Sequence, residues 1–313
     1  MAITTTSLMP SPIQLSFNMK LLAVPVPDFI HSLAAMRQKQ PMHSGNKMRM
    51  RRYNPLATAL VPLGNSGIMP PAQVLSALDI DAQISYYGTF VAINEQVAIN
   101  NTDPVLNEAV KRLGVSLRQT EDQLIRDVLV ATASVVDAVG GINGDSPTEI
   151  MRSDVDGIVR ALKGANAKSI LNNIEAQDRF GTAPIRDSFL ALGSTDLIGS
   201  IDAVQGFTHT AQYPKQDTLS AEWGAIGNLR FLLSSVGSSI PNASANGATV
   251  YNIPCVGMEA YTIIEQDGYS AEFIYRPAIY DSALALNSTA GYKFASAQTV
   301  TNDLWVLNLR CTI

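Results

Sequence analysis

Reactive side chains are scarce in this chain of 313 residues. It has three histidines, His31, His43 and His209, and two cysteines, Cys255 and Cys311. None stands at metal-ligand spacing with another ligand or a carboxylate, so neither a zinc site nor a disulfide framework is written in the sequence. Both cysteines lie in apolar, strand-like stretches, where a buried reduced thiol is the expected state. The chain lacks a Gly-x-Ser-x-Gly elbow, a Walker loop and a Gly-x-Gly-x-x-Gly turn after a strand. Its richest glycine cluster, Gly140-Gly141-Ile142-Asn143-Gly144-Asp145, follows a helical pattern instead of opening a helix, which makes it a turn and not a phosphate cradle. His209, between Thr208 and Thr210, reads as a loop or interface histidine. No catalytic residue, cofactor or metal is expected, although an enzyme with an unmarked site stays open at this point.

Long apolar runs are also missing. No stretch reaches the roughly 18 residues that span a bilayer, so no membrane partner is expected. The opening Met1-Ala2-Ile3-Thr4-Thr5-Thr6 lacks the basic-then-apolar layout of a secretory signal, and export is not expected. Charged residues make up 16% of the chain, a slight deficit that fits burial of surface against partners. The charge is unevenly placed. Residues 1–53 carry Lys20, Arg37, Lys39, Lys47, Arg49, Arg51 and Arg52 against Asp28 alone, a balance of plus six; the total of minus five leaves minus eleven for the rest. A basic segment on an acidic body can dock on a neighbouring body or touch nucleic acid.

What is present is a long alternating ribbon over residues 47–95. Met48 and Met50 alternate with Arg49 and Arg51; Leu78, Ile80, Ala82, Ile84 and Tyr86 alternate with Asp79, Asp81, Gln83 and Ser85. Period two marks strands with one wet and one buried face. Between the halves, Gly64-Asn65-Ser66-Gly67-Ile68-Met69-Pro70-Pro71 suits a hairpin tip. Two strands alone bury too little to be stable in water, so the ribbon predicts an arm that lies on another copy of the chain. Folding it about Gly67 brings Arg49, Arg51 and Arg52 toward Asp79 and Asp81.

A long amphipathic helix is predicted over 103–136. Asp103 is its cap and Pro104 its first residue. Its stripe is Leu106, Val110, Leu113, Leu117, Thr120, Leu124, Val128, Ala131 and Val135, with Glu108–Arg112 and Asp122–Arg126 pairs on the outer face. At 1.5 Å per residue it runs on the order of 50 Å, long enough to be a spine along a sheet. Shorter helices are predicted over about 28–38, 153–164 and 195–207. Strands are predicted over 188–192, 229–233, 250–253, 260–265, 271–275 and 303–310, and a surface loop over 234–247. The class is α+β.

The order of these parts resembles the major capsid protein of tailed double-stranded DNA bacteriophages, most closely the capsid family named after the N4-like podoviruses. The resemblance rests on Arg49–Leu63 with the Gly64–Pro71 tip, and on Ile84-Ser85-Tyr86-Tyr87-Gly88-Thr89-Phe90-Val91-Ala92-Ile93-Asn94, with Asn94 where the family pattern is acidic. It rests also on Glu222-Trp223-Gly224 with Gly227 and Arg230-Phe231, similar to the family's glycine-rich turn into an Arg-Phe strand, and on Gly291-Tyr292-Lys293 with Asn302–Leu309 as closing strands. It covers most of residues 48–313.

The resemblance implies the Johnson-type capsid fold: an N-terminal arm (1–46), an E-loop hairpin (47–95), a P-domain with the spine helix (96–145), an A-domain (146–285) and C-terminal strands returning to the P-domain (286–313). It implies a structural protein of the virion capsid that assembles as hexamers and pentamers into an icosahedral shell around a double-stranded DNA genome, in the host cytoplasm. The implied partners are other copies, a separate scaffolding protein, a portal, and packaged DNA held non-specifically. Arg49, Arg51, Arg52, Asp79, Asp81, Ile68 and Met69 are the expected inter-subunit contacts. An encapsulin-like cellular compartment and a soluble α/β enzyme are the alternatives.

Overall fold

The computed structural model describes residues 26–60, 72–94, 96, 105–170, 188–213, 218–219, 221–268, 271–277 and 286–313. One long helix, α1 (Val105–Thr132), runs between two sheets. The first sheet has the order β1 (Met36–Gln40), β12 (Tyr261–Gln266), β14 (Asn287–Val300) and β13 (Glu272–Arg276), with β4 (Ser85–Asn94) bonded to the other edge of β14. The second has the order β5 (Ser134–Asp137), β15 (Val306–Cys311), β11 (Val250–Val256), β6 (Phe189–Ser194), β9 (Leu229–Ser234), β8 (Glu222–Ile226) and β7 (Phe207–His209); β10 (Ser239–Ile240) joins β11. A separate two-stranded sheet pairs β2 (Lys47–Tyr53) with β3 (Ala77–Gln83).

The second sheet holds most of the core because its central strands are apolar on both faces. Phe189, Ala191, Phe231, Ile253, Cys255, Leu309 and Cys311 pack under α2 (Arg152–Gly164) and the 195–204 segment, meeting Val155, Ile158, Leu162, Leu197 and Ile201. Leu190, Leu192, Leu232, Val256 and Val306 point the other way, toward Ile125 and Leu129 of α1. Farther back along α1, Leu113, with Leu106 and Leu117, lies on Tyr292, Phe294 and Tyr87 of the first sheet. The spine therefore belongs to both cores.

Several elements differ from expectation. The helix ends at Thr132: Val135 and Val136, which extend the helical stripe on paper, form β5 and pair in parallel with β15. β-branched residues tolerate a strand better than a helix end, and β15 offers a ladder there. The buried helix face is centred on Leu113, Ile125 and Leu129, with Leu124 and Val128 at its margin, while Val110 and Ala131 are exposed. Asp103 and Pro104 lie outside the described residues. Residues 28–38 are a turn leading into β1, bonded in parallel to β12 from Met36 to Gln40. The 195–207 helix is one short turn plus α3 (Ile198–Asp202), after which Phe207 enters β7. Glu222-Trp223-Gly224 is strand, and the turn sits at Gly227-Asn228, with Gly227 at φ +60°.

The expected ribbon also divides. Only 47–53 and 77–83 pair as an arm; after Ile84 the chain turns into β4 and bonds to β14 over ten residues, from Ser85↔Ser296 to Asn94↔Asn287. A partner strand distant in sequence is invisible to a local pattern.

Candidate assembly surface

Alternation sorts the arm into two faces. Met48, Met50, Ile80 and Ala82 turn toward the body, where Ala82 and Ile84 pack on Ile264, Ala295 and Ala297 of the first sheet. A cleft of about 560 Å³ remains beneath the arm, lined by Met36, Met48, Met50, Ile80 and Trp305 among others. The opposite face carries the charges. Arg49 stands across from Asp81 and Arg51 across from Asp79 in the antiparallel register.

Both pairs are two-pronged. The Arg49 Nε and Nη2 donate to the two Asp81 oxygens at 2.6 and 2.8 Å, and the Arg51 Nε and Nη2 donate to those of Asp79 at 2.7 and 3.0 Å. Fork-to-carboxylate geometry fixes side-chain direction as well as charge. The hydrogen bond from Arg51 holds the Asp79 carboxyl below its usual pKa, and that from Arg49 does the same for Asp81; each arginine is raised in turn.

Arg52 does not join this ladder. It follows Arg51 directly, so the pleat sends it to the body side, where its Nη1 donates to the Thr301 carbonyl at 3.2 Å. Beyond the paired strands the chain stays extended, tied by Asn54 N–H to the Ser76 carbonyl and by Gln73 Nε2 to the Ala57 carbonyl. This outer part is apolar and uncovered: Leu60 is 86% exposed and Val74 87%, with Leu56 and Leu75 also exposed. Ile68 and Met69, at the expected tip, lie outside the described residues.

Charged groups inside the body are occupied by the fold. Asp122, expected on the outer helix face with Arg126, is buried: it accepts from the His31 N–H at 2.9 Å and meets the His31 ring Nδ1 at 2.6 Å. The helix phase that buries Ile125 and Leu129 carries Asp122 inward with them. Arg126 turns to Asp127 and to the Val236 carbonyl, while Glu108–Arg112 forms as expected at 2.8 Å. Glu222 accepts from Arg230 Nη1, Tyr213 Oη and the Leu219 N–H; Asp154 caps the start of α2 by accepting from the Met151 N–H. The sequence gives no signal for the His31–Asp122 pair, whose partners are 91 residues apart.

The other candidate reactive groups are likewise structural. His209 Nδ1 accepts from the Ala211 N–H at 3.1 Å, and its ring sits edge-on to Trp223. Cys255 and Cys311 are buried and unpaired; burial pushes both thiols up, that of Cys311 to about 12. Among the described residues no group of His, Cys, Asp and Glu is arranged to hold a metal, and no helix is long and apolar enough to cross a membrane.

The fold and sequence have relatives. The sequence matches the family described as phage capsid protein over residues 77–296. No curated protein is significantly similar to it. The fold resembles the capsid of Ralstonia phage GP4 (TM-score 0.70, 13% identity, 99% of this chain and 98% of that one). It is similar to the capsid of cyanophage Pam1 (0.67, 13%, 99% of each) and to that of a native GTA particle (0.65, 8%, 100% of each). The family match, on a fold shared with these capsids, leads to one assignment: the chain belongs to the phage capsid protein family, as a structural major capsid protein that self-associates into the shell of a virion.

Proposed function

We propose that the β2–β3 arm clasps a neighbouring copy in the shell, with Arg49, Arg51, Asp79 and Asp81 setting its outer face and Ile68 and Met69 belonging to the contact. The observation that carries this reading is the arm's own imbalance. Its inner face is used by the body, yet its outer half leaves Leu56, Leu60, Val74 and Leu75 in solvent. Contiguous exposed apolar surface marks an interaction site. Arg52 contributes indirectly, by tying the arm root to the Thr301 carbonyl.

The finer scheme keeps an N-terminal arm (1–46), an E-loop (47–95), a P-domain with the spine helix (96–145), an A-domain (146–285) and C-terminal strands returning to the P-domain (286–313), in an N4-like podovirus lineage. Hexamers and pentamers build an icosahedral shell in the host cytoplasm, with a separate scaffolding protein and a portal, around double-stranded DNA held non-specifically. The arginines serve the arm more than the genome, because both are already matched by carboxylates. Replacing Arg49 and Arg51 together with Ala tests this: shell formation followed by light scattering without DNA is expected to weaken. Empty shells that form normally and only lose DNA retention would overturn it.

A further inference from the structure

The stretch after β5 and the loop between β10 and β11 meet in space, and each carries an Asn-Gly step. Asn143–Gly144 and Asn246–Gly247 are the two such steps in the chain. They are interlocked. Asn246 Nδ2 donates to the Gly144 carbonyl at 3.2 Å, the Asn246 N–H to Asp145 Oδ1 at 3.1 Å, and the Ala245 N–H to the Ser146 carbonyl at 3.1 Å. All four residues of the two steps are exposed. Gly144 has φ +72° and Gly247 φ +79°, a backbone conformation that a side chain disfavours.

An Asn-Gly step is where an asparagine reacts most readily with its own backbone. The nucleophile is the next amide nitrogen, and glycine puts no side chain over it. The two steps here differ in how that nitrogen is engaged. The Gly247 N–H donates to the Ser244 carbonyl at 3.1 Å, whereas the Gly144 N–H has no acceptor among the described residues. Around Asn143 the side chain is held at both ends: Oδ1 accepts from the Asp145 N–H at 3.2 Å, and Nδ2 donates to Thr312 Oγ1 at 2.9 Å. The first contact sets a donor on the oxygen that gains charge when Cγ is attacked, and a donor so placed lowers the barrier.

We infer that Asn143 is a self-modification site, which the Gly144 nitrogen converts to aspartate and isoaspartate. That nitrogen gives its proton to solvent and bonds to Asn143 Cγ. The Cγ–Nδ2 bond breaks, ammonia leaves, and a five-membered imide remains. Water then adds to either imide carbonyl and breaks that carbonyl's bond to the ring nitrogen. In sum one amide and one water become one carboxylate and one ammonium, with no oxidation or reduction.

The product no longer fits its surroundings. The Thr312 hydroxyl already donates its one proton to the Pro147 carbonyl at 3.0 Å, so it can only accept from residue 143. A carboxylate has no proton to give, and one of the two contacts is lost. The new charge also stands two residues from Asp145, whose Oδ1 holds the Asn246 and Ser146 N–H groups. Conversion therefore loosens both the chain end after β15 and the clasp between the two loops. The inference is independent of the shell-forming reading, which only repeats the site in every copy.

Peptide mapping by mass spectrometry tests it. The full chain is held in mildly alkaline buffer made with heavy-oxygen water, folded in one sample and denatured in another. In the folded chain Asn143 is expected to convert about tenfold faster than Asn246, the factor that one hydrogen bond on the attacking amide carries. The product should take its new oxygen from water and contain both aspartate and isoaspartate. In the denatured chain the two rates should converge. Equal rates in the folded chain, Asn246 ahead, or aspartate without isoaspartate would overturn the inference. The same order of rates in the denatured chain would overturn it too, by tracing the difference to flanking sequence. Asn143→Asp supplies a second measurement: the Thr312, Ala245 and Asn246 amides should exchange several-fold faster than in wild type. Unchanged exchange would sink the proposed loosening.

Discussion

Two sets of acid–base pairs in this protein are built from similar groups and do different work. Arg49–Asp81 and Arg51–Asp79 lie in the open on a two-stranded arm, while His31–Asp122 sits in the core between the N-terminal segment and the spine. An exposed pair gains little because water screens it and its side chains lose freedom. A buried pair is costly to form and costlier to break, since removing one partner strands the other away from water. The buried pair therefore fixes where the chain runs within a subunit. The exposed ladder is expected to leave the subunit's stability nearly untouched, and in the proposed clasp it shapes the surface offered to another copy.

Breaking the buried side should give the largest effect. Asp122→Ala leaves the His31 N–H and ring without their acceptor, and a loss of about 3–5 kcal/mol is expected in chemical denaturation. It should also raise hydrogen exchange across residues 28–40, because β1 joins β12 just after that anchor. Unchanged exchange there would show that β1 and the apolar contacts of Ile30 hold the segment by themselves. Next comes the close approach of β4 and β14. Gly291→Ala forces a Cβ against Phe90 Cβ and the Thr89 carbonyl, both 2.8 Å away, and overpacking of this kind costs about 1–3 kcal/mol. The expected signature is a lower unfolding midpoint with fast exchange confined to β4. Smaller still, Arg49→Ala with Arg51→Ala should leave the thermal midpoint of the unassembled subunit unchanged while slowing shell formation. A matching fall in both would place the ladder among the fold's supports.

The same contrast explains how far the sequence could be read. Alternation is local, so it placed Met48 and Met50 on one face and Arg49 and Arg51 on the other, opposite Asp81 and Asp79. Helix α2 was equally plain, because Val155, Ile158 and Leu162 keep their spacing over a short, well-bounded run. Val135 fits a helical stripe, so the local pattern extends the long helix past its end, and only the ladder with β15, where Val135 pairs with Asn308, decides against it. Standing four residues before Arg126, Asp122 has the local pattern of a surface residue. Its burial depends on His31, which arrives from another part of the chain. For β4 the alternation lies in the local sequence, while its partner β14 is about 200 residues away. The features that position the proposed assembly surface were thus legible where neighbours in sequence are neighbours in space, and hidden where a distant strand or side chain chooses between two local solutions.

The finest test of the comparison is acidity. Asp79 and Asp81 have carboxyls depressed by the hydrogen bonds from Arg51 and Arg49. A group whose folded pKa lies below its unfolded value contributes above the unfolded value, about 3.9 for Asp, and loses that contribution as pH falls through the depressed one. From neutrality down to about pH 5 the ladder should therefore stay intact, and it should fade only below the ordinary carboxylate range. Carboxyl carbon shifts of the two aspartates, followed in the unassembled chain, should titrate below that range and return to it in the double arginine-to-alanine variant. Salt separates the two kinds of pair further. At 0.1 M the screening length is about 10 Å, so the exposed ladder should lose part of its depression in 1 M salt, while the His31–Asp122 contact, shielded from ions, keeps its exchange protection. Titration of Asp79 and Asp81 at the ordinary value in wild type would mean that the forks are open in solution. The outer face of the arm would then present four independent charges to a neighbour instead of two matched pairs.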